Sequence, residues 1–150
     1  MSGIVVRDAR DDELEEVITL WHETCADTYT FIPIERDRTL DDRRGYFRAH
    51  IAPRCALWVA LDGDGLAGMM AIRDDYIERL YVHPQRQRRG VGAALLDRAR
   101  ELSPVRLELH THQQNHKARA FYEKHGFRAV KFGMSPPPEN VPDVEYHWRA

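Results

Sequence analysis

Apolar residues recur along the chain in two rhythms. Leu14, Val17, Ile18, Trp21 and Cys25 fall at the spacing of one helical face. Asp11 or Asp12 can cap that helix, with Glu15 completing a capping box. A second helix is expected from about Thr39, turning Leu40, Phe47 and Ile51 inward, with residues 29–33 as an aromatic-rich loop between the two. Residues 4–7 read as a short opening strand. From Ala56 the rhythm becomes extended: residues 56–61, 66–72 and 76–82 are strand-length runs. Asp62-Gly63-Asp64-Gly65, with both glycines supplying positive φ, and Asp74-Asp75 join them as tight turns, which predicts an antiparallel meander.

The second half returns to helical spacing. A helix runs from Gly90 to about Leu102 and stops at Ser103-Pro104. Val105, Leu107 and Leu109 alternate as a strand, and the long helix before it points to a parallel pairing. Residues 115–124 form the next helix, closed by Gly126. Residues 127–132 and 144–148 are the last strands, separated by the stiff segment Ser135-Pro136-Pro137-Pro138. With no repeat or linker, residues 1–150 read as one α/β (α+β) domain.

Composition narrows the function classes. A net charge of -2 over 150 residues does not suit a nucleic-acid binder. No apolar run reaches the ~20 residues of a membrane span, and no secretion signal is visible, so the expected location is cytoplasmic. Cys25 and Cys55 lie in no metal or redox spacing and are expected as free thiols.

The candidate chemistry lies in a strand followed by a basic turn, Gln87-Arg88-Arg89-Gly90-Val91-Gly92, and a helix start. Unpaired amides and the helix dipole make such a start an anion site. Arg86, Arg88 and Arg89 are misplaced there unless an anion neutralises them, and Gly90 and Gly92 open the backbone to close approach. The dinucleotide and Walker glycine patterns are both absent. What remains resembles the Gcn5-related N-acetyltransferase (GNAT) family: Gln87-x-x-Gly90-x-Gly92 after Val82-His83-Pro84, followed by Asn115-x-x-Ala118-x-x-Phe121-Tyr122-x-x-x-Gly126-Phe127. All positions of the second block match. The resemblance implies a single GNAT-type domain, with a mixed, mostly antiparallel sheet of six to seven strands flanked by about four helices.

It also implies a reaction, the direct transfer of an acetyl group from acetyl-CoA to an amine, with acetyl-CoA as co-substrate and no metal. By resemblance, the turn of Gln87, Arg88, Arg89, Gly90, Val91 and Gly92 holds the pyrophosphate. The backbone of Leu80, Tyr81 and Val82 binds the coenzyme arm and the oxyanion, and Asn115 contacts the arm or caps its helix. Tyr122 matches the acid for the leaving thiolate. Glu78, two residues before Leu80 and so expected on the same strand face, is the candidate base through water, with Tyr76 and His110 as competitors. His110 and His112 share a strand face, but no further ligand completes a metal spacing. Trp21, Tyr29, Phe31 and Trp58 could line the acceptor pocket, with His22, Glu23 and Asp27 to attract an ammonium. The expected acceptor is a small-molecule amine; a protein N-terminus or lysine and a non-catalytic acyl-CoA-binding module are the alternatives. A homodimer is a family habit.

Overall fold

The computed structural model describes residues 3–63 and 65–150; Met1, Ser2 and Asp64, the last within the expected hairpin turn, lie outside the described residues. Along the chain run β1 (Ile4–Asp8), α1 (Leu14–Thr28), α2 (Pro33–Arg36), α3 (Leu40–Tyr46), β2 (Ala56–Asp62), β3 (Gly65–Arg73) and β4 (Tyr76–Val82). They are followed by α4 (Val91–Leu102), β5 (Arg106–His112), α5 (His116–Lys124), β6 (Arg128–Met134) and β7 (Pro142–Arg149). The strands form one seven-stranded sheet in the order β1-β2-β3-β4-β5-β7-β6. Its pairs are antiparallel except β4–β5, which is parallel. A fifth helix, α2, follows the expected loop and shares only Pro33 with it; that proline lies in its first turn, where no amide donor is missed.

Two caps set the helices on one side. Thr39 and Asp42 exchange reciprocal hydrogen bonds at the start of α3. Ahead of α1, the reaching carboxylate is Glu13, not Glu15: it accepts from the Arg10 amide at 2.8 Å, and Arg7 grips it from β1 at 2.9 and 2.7 Å. Glu15 turns outward instead, to Arg44 and Arg48.

The sheet separates two cores. Val17, Ile18, Trp21 and Cys25 of α1, with Phe47 and Ile51 beyond α3, pack on Val59, Met69 and Ala71. On the opposite face, Leu95, Leu96 and Ala99 of α4 and Tyr122 of α5 meet Met70, Ile77, Leu107 and Tyr146. Burial of each large apolar side chain contributes roughly 1.5–3 kcal/mol. Both cysteines are free. In the turn before β3, Gly63 has φ +70, whereas Gly65 does not need a positive φ. A Cβ at Gly65 would lie 2.5 Å from Nη2 of Arg86 and would displace that guanidinium.

Two irregularities of β4 shape the centre of the molecule. Ile72 pairs with Ile77 and Ala71 with Arg79, so Glu78 is the extra residue of a bulge. Beyond Tyr76↔Glu108, β4 and β5 form no further ladder pairs, and the sheet parts between them.

Candidate active site

The turn after β4 has the backbone an anion requires. Arg88 and Gly90 both adopt left-handed φ, at 65 and 86, and successive amides in such a turn form a concave nest. The first intrahelical bond of α4 runs from the Ala94 amide to Gly90 O. The amides of Val91, Gly92 and Ala93 therefore precede any helical acceptor, and Gly90 carries no side chain to cap them. This donor set fits a pyrophosphate. The glycines have different reasons. Gly90 is required by its φ, with nothing nearer than Ile4 Cδ1 at 3.8 Å to an added Cβ. At Gly92 a Cβ would meet the Phe121 ring at 2.9 Å, so that glycine serves α4–α5 packing.

The three arginines divide as well. Arg86 donates to Asp62 O at 3.0 Å, and Arg89 pairs with the Asp62 carboxylate at 3.3 Å. Arg89 thus has a charge partner within the protein and Arg86 is tied to a backbone carbonyl, and neither side chain is in the cleft lining. Arg88 does line the cleft. Gln87 lines it too, while its amide nitrogen donates to Val82 O at 3.1 Å and ties the turn to β4.

The cleft, of about 1630 Å³, enters the sheet where β4 and β5 part. The His83 backbone amide donates to Ala67 O at 2.9 Å, and Val82 stands opposite Gly68. Antiparallel alternation then turns the Tyr81 amide toward β3 and the Leu80 and Val82 amides toward the gap. Of the three residues expected to offer backbone donors, Leu80 and Val82 do so. Tyr81 contributes its side chain on the α1 side, where burial raises its phenol well above the usual tyrosine range.

Tyr122 reaches the same gap from α5. It is 7% exposed, and its ring packs on Phe121, Phe127 and Tyr146. Burial, with a contribution from nearby Tyr29, pushes its phenol above the ordinary tyrosine value, so it stays protonated. No group among the described residues hydrogen-bonds its hydroxyl. Asn115 caps α5 by accepting from the Ala118 amide at 3.2 Å, and also lines the cleft.

The bulge corrects the expectation for Glu78. Plain alternation would place it with Leu80; instead Ile77 and Leu80 both face the α4 core, and Glu78 keeps company with Arg79. Its carboxylate lies 3.3 Å from Arg73 and 3.7 Å from Arg79, within the cleft lining. Of the aromatic residues expected around the acceptor, Trp21, Tyr29 and Phe31 line the cleft, while Trp58 lies in the opposite core beneath Arg98. Asp27 lines it as well; His22 is turned to Arg43 and Glu23 to His83. Tyr76 and His110 hydrogen-bond each other at 2.8 Å on the rim.

Two further groups emerge only from the structure. His112 bonds Glu139 at 2.7 Å with its other ring nitrogen buried, and Tyr29 meets its ring edge-on at 4.8 Å. Burial, the largest influence, would raise the Glu139 carboxyl, but the hydrogen bond and charge of His112, with Ser135 and Arg79, together hold the group below its ordinary value. The Arg79 guanidinium stands 5.8 Å from the centre of the Trp21 ring and 6.0 Å from that of Tyr46. The pairing of His112 with Glu139 spans 27 residues, and no local spacing signals it.

Residues 53–129 match a family model described as an acetyltransferase (GNAT) domain. The peptidyl-lysine N-acetyltransferase YjaB of Escherichia coli K12 is 30% identical over 128 residues, covering 85% of this chain and 84% of that protein. The peptidyl-lysine N-acetyltransferase YiaC of the same strain is 27% identical over 84% of each. The solution structure of apo-YjaB superposes with a TM-score of 0.81 at 26% identity over 97% of each chain. Spermidine N-acetyltransferase from Vibrio cholerae, in complex with CoA and spermine, shares the fold, with a TM-score of 0.72 at 18% identity, covering 98% of this chain and 95% of that one. With the open β4 edge, the amide nest and Tyr122 meeting in one cleft, this chain belongs to the GNAT family and is an acetyl-CoA-dependent N-acetyltransferase.

Proposed function

We propose that the acceptor is a primary alkylammonium, foremost the side chain of a protein lysine, acetylated directly in the gap between β4 and β5. The observation that carries the reaction is the convergence there of the Leu80 and Val82 amides with the Tyr122 phenol. Arg88 and the amides of residues 90–93 hold the pyrophosphate of acetyl-CoA. Leu80 and Val82 pair with the coenzyme arm much as a neighbouring strand would, and one of their amides receives the thioester carbonyl oxygen. Tyr122 gives its proton to the departing sulfur. Glu78 accepts the proton lost by the ammonium, through water.

Glu78 and Glu139 are paired with Arg73, Arg79 and His112, whereas Asp27, also in the cleft lining, has no ion-pair partner among the described residues and favours a cation as acceptor. The names of YjaB and YiaC favour lysine among such cations.

The test is thiol release from acetyl-CoA with lysine-containing peptides, free polyamines and amino acids side by side. Lysine peptides should turn over with the highest kcat/KM. Preference for a free amine would return the acceptor to a small molecule. Saturable acetyl-CoA binding without turnover on any amine would make the chain an acyl-CoA-binding module.

A further inference from the structure

We propose that the sheet face formed by β5 and β7, on the side away from α4 and α5, binds one divalent transition-metal ion, Zn2+ foremost, through Glu108, Glu145 and His147.

Strand alternation assembles the site. Leu107 and Leu109 of β5 and Val144 and Tyr146 of β7 face the α4–α5 core, so Glu108, His110, Glu145 and His147 share the opposite face. The register sets Glu108 opposite His147 and His110 opposite Glu145. Two carboxylates and two imidazoles thus occupy the corners of a checkerboard on neighbouring strands. The helices α1 and α3 cover β2 to β4 and leave this part of the sheet open.

The distances suit a small cation. His147 Nε2 lies 2.6 Å from Glu145 and 3.4 Å from Glu108, and donors of all three residues fall within 4.8 Å of one another. Ligands around tetrahedral zinc, at about 2.0–2.2 Å from the ion, stand roughly 3.3–3.5 Å apart. Small rotamer adjustments on rigid strands bring the three donors to that spacing. His110 Nε2, 3.4 Å from Glu145, stands beside them as a fourth donor or as a support for Glu145. Lys131, opposite Glu145 on β6, and the two imidazoles stand beside the carboxylates, and the ion would take the place of the hydrogen bond between His147 and Glu145. An imidazole in the set selects zinc or a similar ion over Mg2+ and Ca2+, which take oxygen ligands. His110 and His112, the pair conspicuous in the sequence, part company: His112 is engaged by Glu139. Glu108, Glu145 and His147 are absent from the cleft lining, and only His110, bonded to Tyr76, borders both places.

The test is calorimetric titration of Zn2+ into the full chain after chelator treatment, with Co2+ as a spectroscopic probe. One equivalent of Zn2+ should bind in the micromolar range or tighter, Mg2+ and Ca2+ should give no saturable heat, and Co2+ should show the intense visible bands of a tetrahedral site. The double variant Glu108→Gln with His147→Gln should lose more than the roughly 10–100-fold that removing an outer-shell partner costs. Absence of saturable Zn2+ binding to the wild-type chain overturns the proposal. So does binding unchanged in the double variant, which would assign the heat to other histidines. Should that variant not fold, wild-type Co2+ spectra without tetrahedral bands overturn it equally.

Discussion

The ring of Phe121 stands where a side chain on Gly92 would have to go, 2.9 Å from an ideal Cβ. The second glycine of the phosphate turn is therefore a packing residue that lets α4 and α5 approach. Gly92→Ala should lower unfolding free energy by about 1–3 kcal/mol, as overpacking does, read from urea denaturation. Gly90→Ala has room for its methyl group but must hold φ at 86. It should cost about 1–2 kcal/mol and raise the KM for acetyl-CoA, because the nest itself deforms. Equal stability in wild type and Gly92→Ala would refute the packing role.

Tyr122→Phe keeps the ring contacts and removes only the hydroxyl. Steady-state kinetics should show kcat lower by roughly 10²–10⁴-fold, with acetyl-CoA affinity retained. Unchanged kcat would remove Tyr122 from the acid role.

Glu78→Gln should depress kcat/KM by roughly 10²–10⁴-fold, the range for losing a positioned base, with acetyl-CoA binding retained. An unchanged kcat/KM in the variant would pass the role to another group, with Glu139 beside His112 next in line.

Arg88 and Arg89 are neighbours with different tasks. Arg88→Ala should raise the acetyl-CoA KM roughly tenfold, the value of one charge-assisted hydrogen bond, and flatten its salt dependence. Arg89→Ala should leave KM near wild type, because its guanidinium is turned to Asp62. Equal effects in the two variants would contradict this division.

Glu13 links acid stability to the fork from Arg7. The Arg7 hydrogen bonds, then the Arg10 amide, hold the Glu13 carboxyl down to about 2, against an ordinary 4.5. Its folded value is depressed, so the stabilisation is present above about pH 4.5 and is lost as pH falls toward 2. Glu13→Gln should cost about 1 kcal/mol at neutral pH, the upper end for a partly exposed pair. Thermal melts at pH 7 and pH 2 should converge for the two proteins. A constant gap between them would exclude this linkage.

Local spacing made much of this legible. The phosphate turn and the Tyr122 helix are read from residues a few positions apart, and α4 between two strands implied the parallel crossing. What escaped depends on distant partners. The bulge at Glu78 exists only in its pairing with Ala71 and Ile72, so a period-two reading placed Glu78 on the wrong face. Arg86 and Arg89 looked like free cations because Asp62, 24 and 27 residues away, could not be foreseen as their partner. The packing reason for a glycine at 92 escaped because the chain order does not reveal Phe121 above it. Glu108 and Glu145 completed no local ligand spacing; they meet through β7, the last strand.

The lone rung Tyr76↔Glu108 makes the protein two half-sheets, of four strands and three, hinged at one end. A molecule wedged into that opening becomes part of the architecture, bridging halves that the backbone leaves largely unjoined. Occupancy should accordingly stiffen β5, β6 and β7 together, slowing amide exchange even in strands the guest never touches.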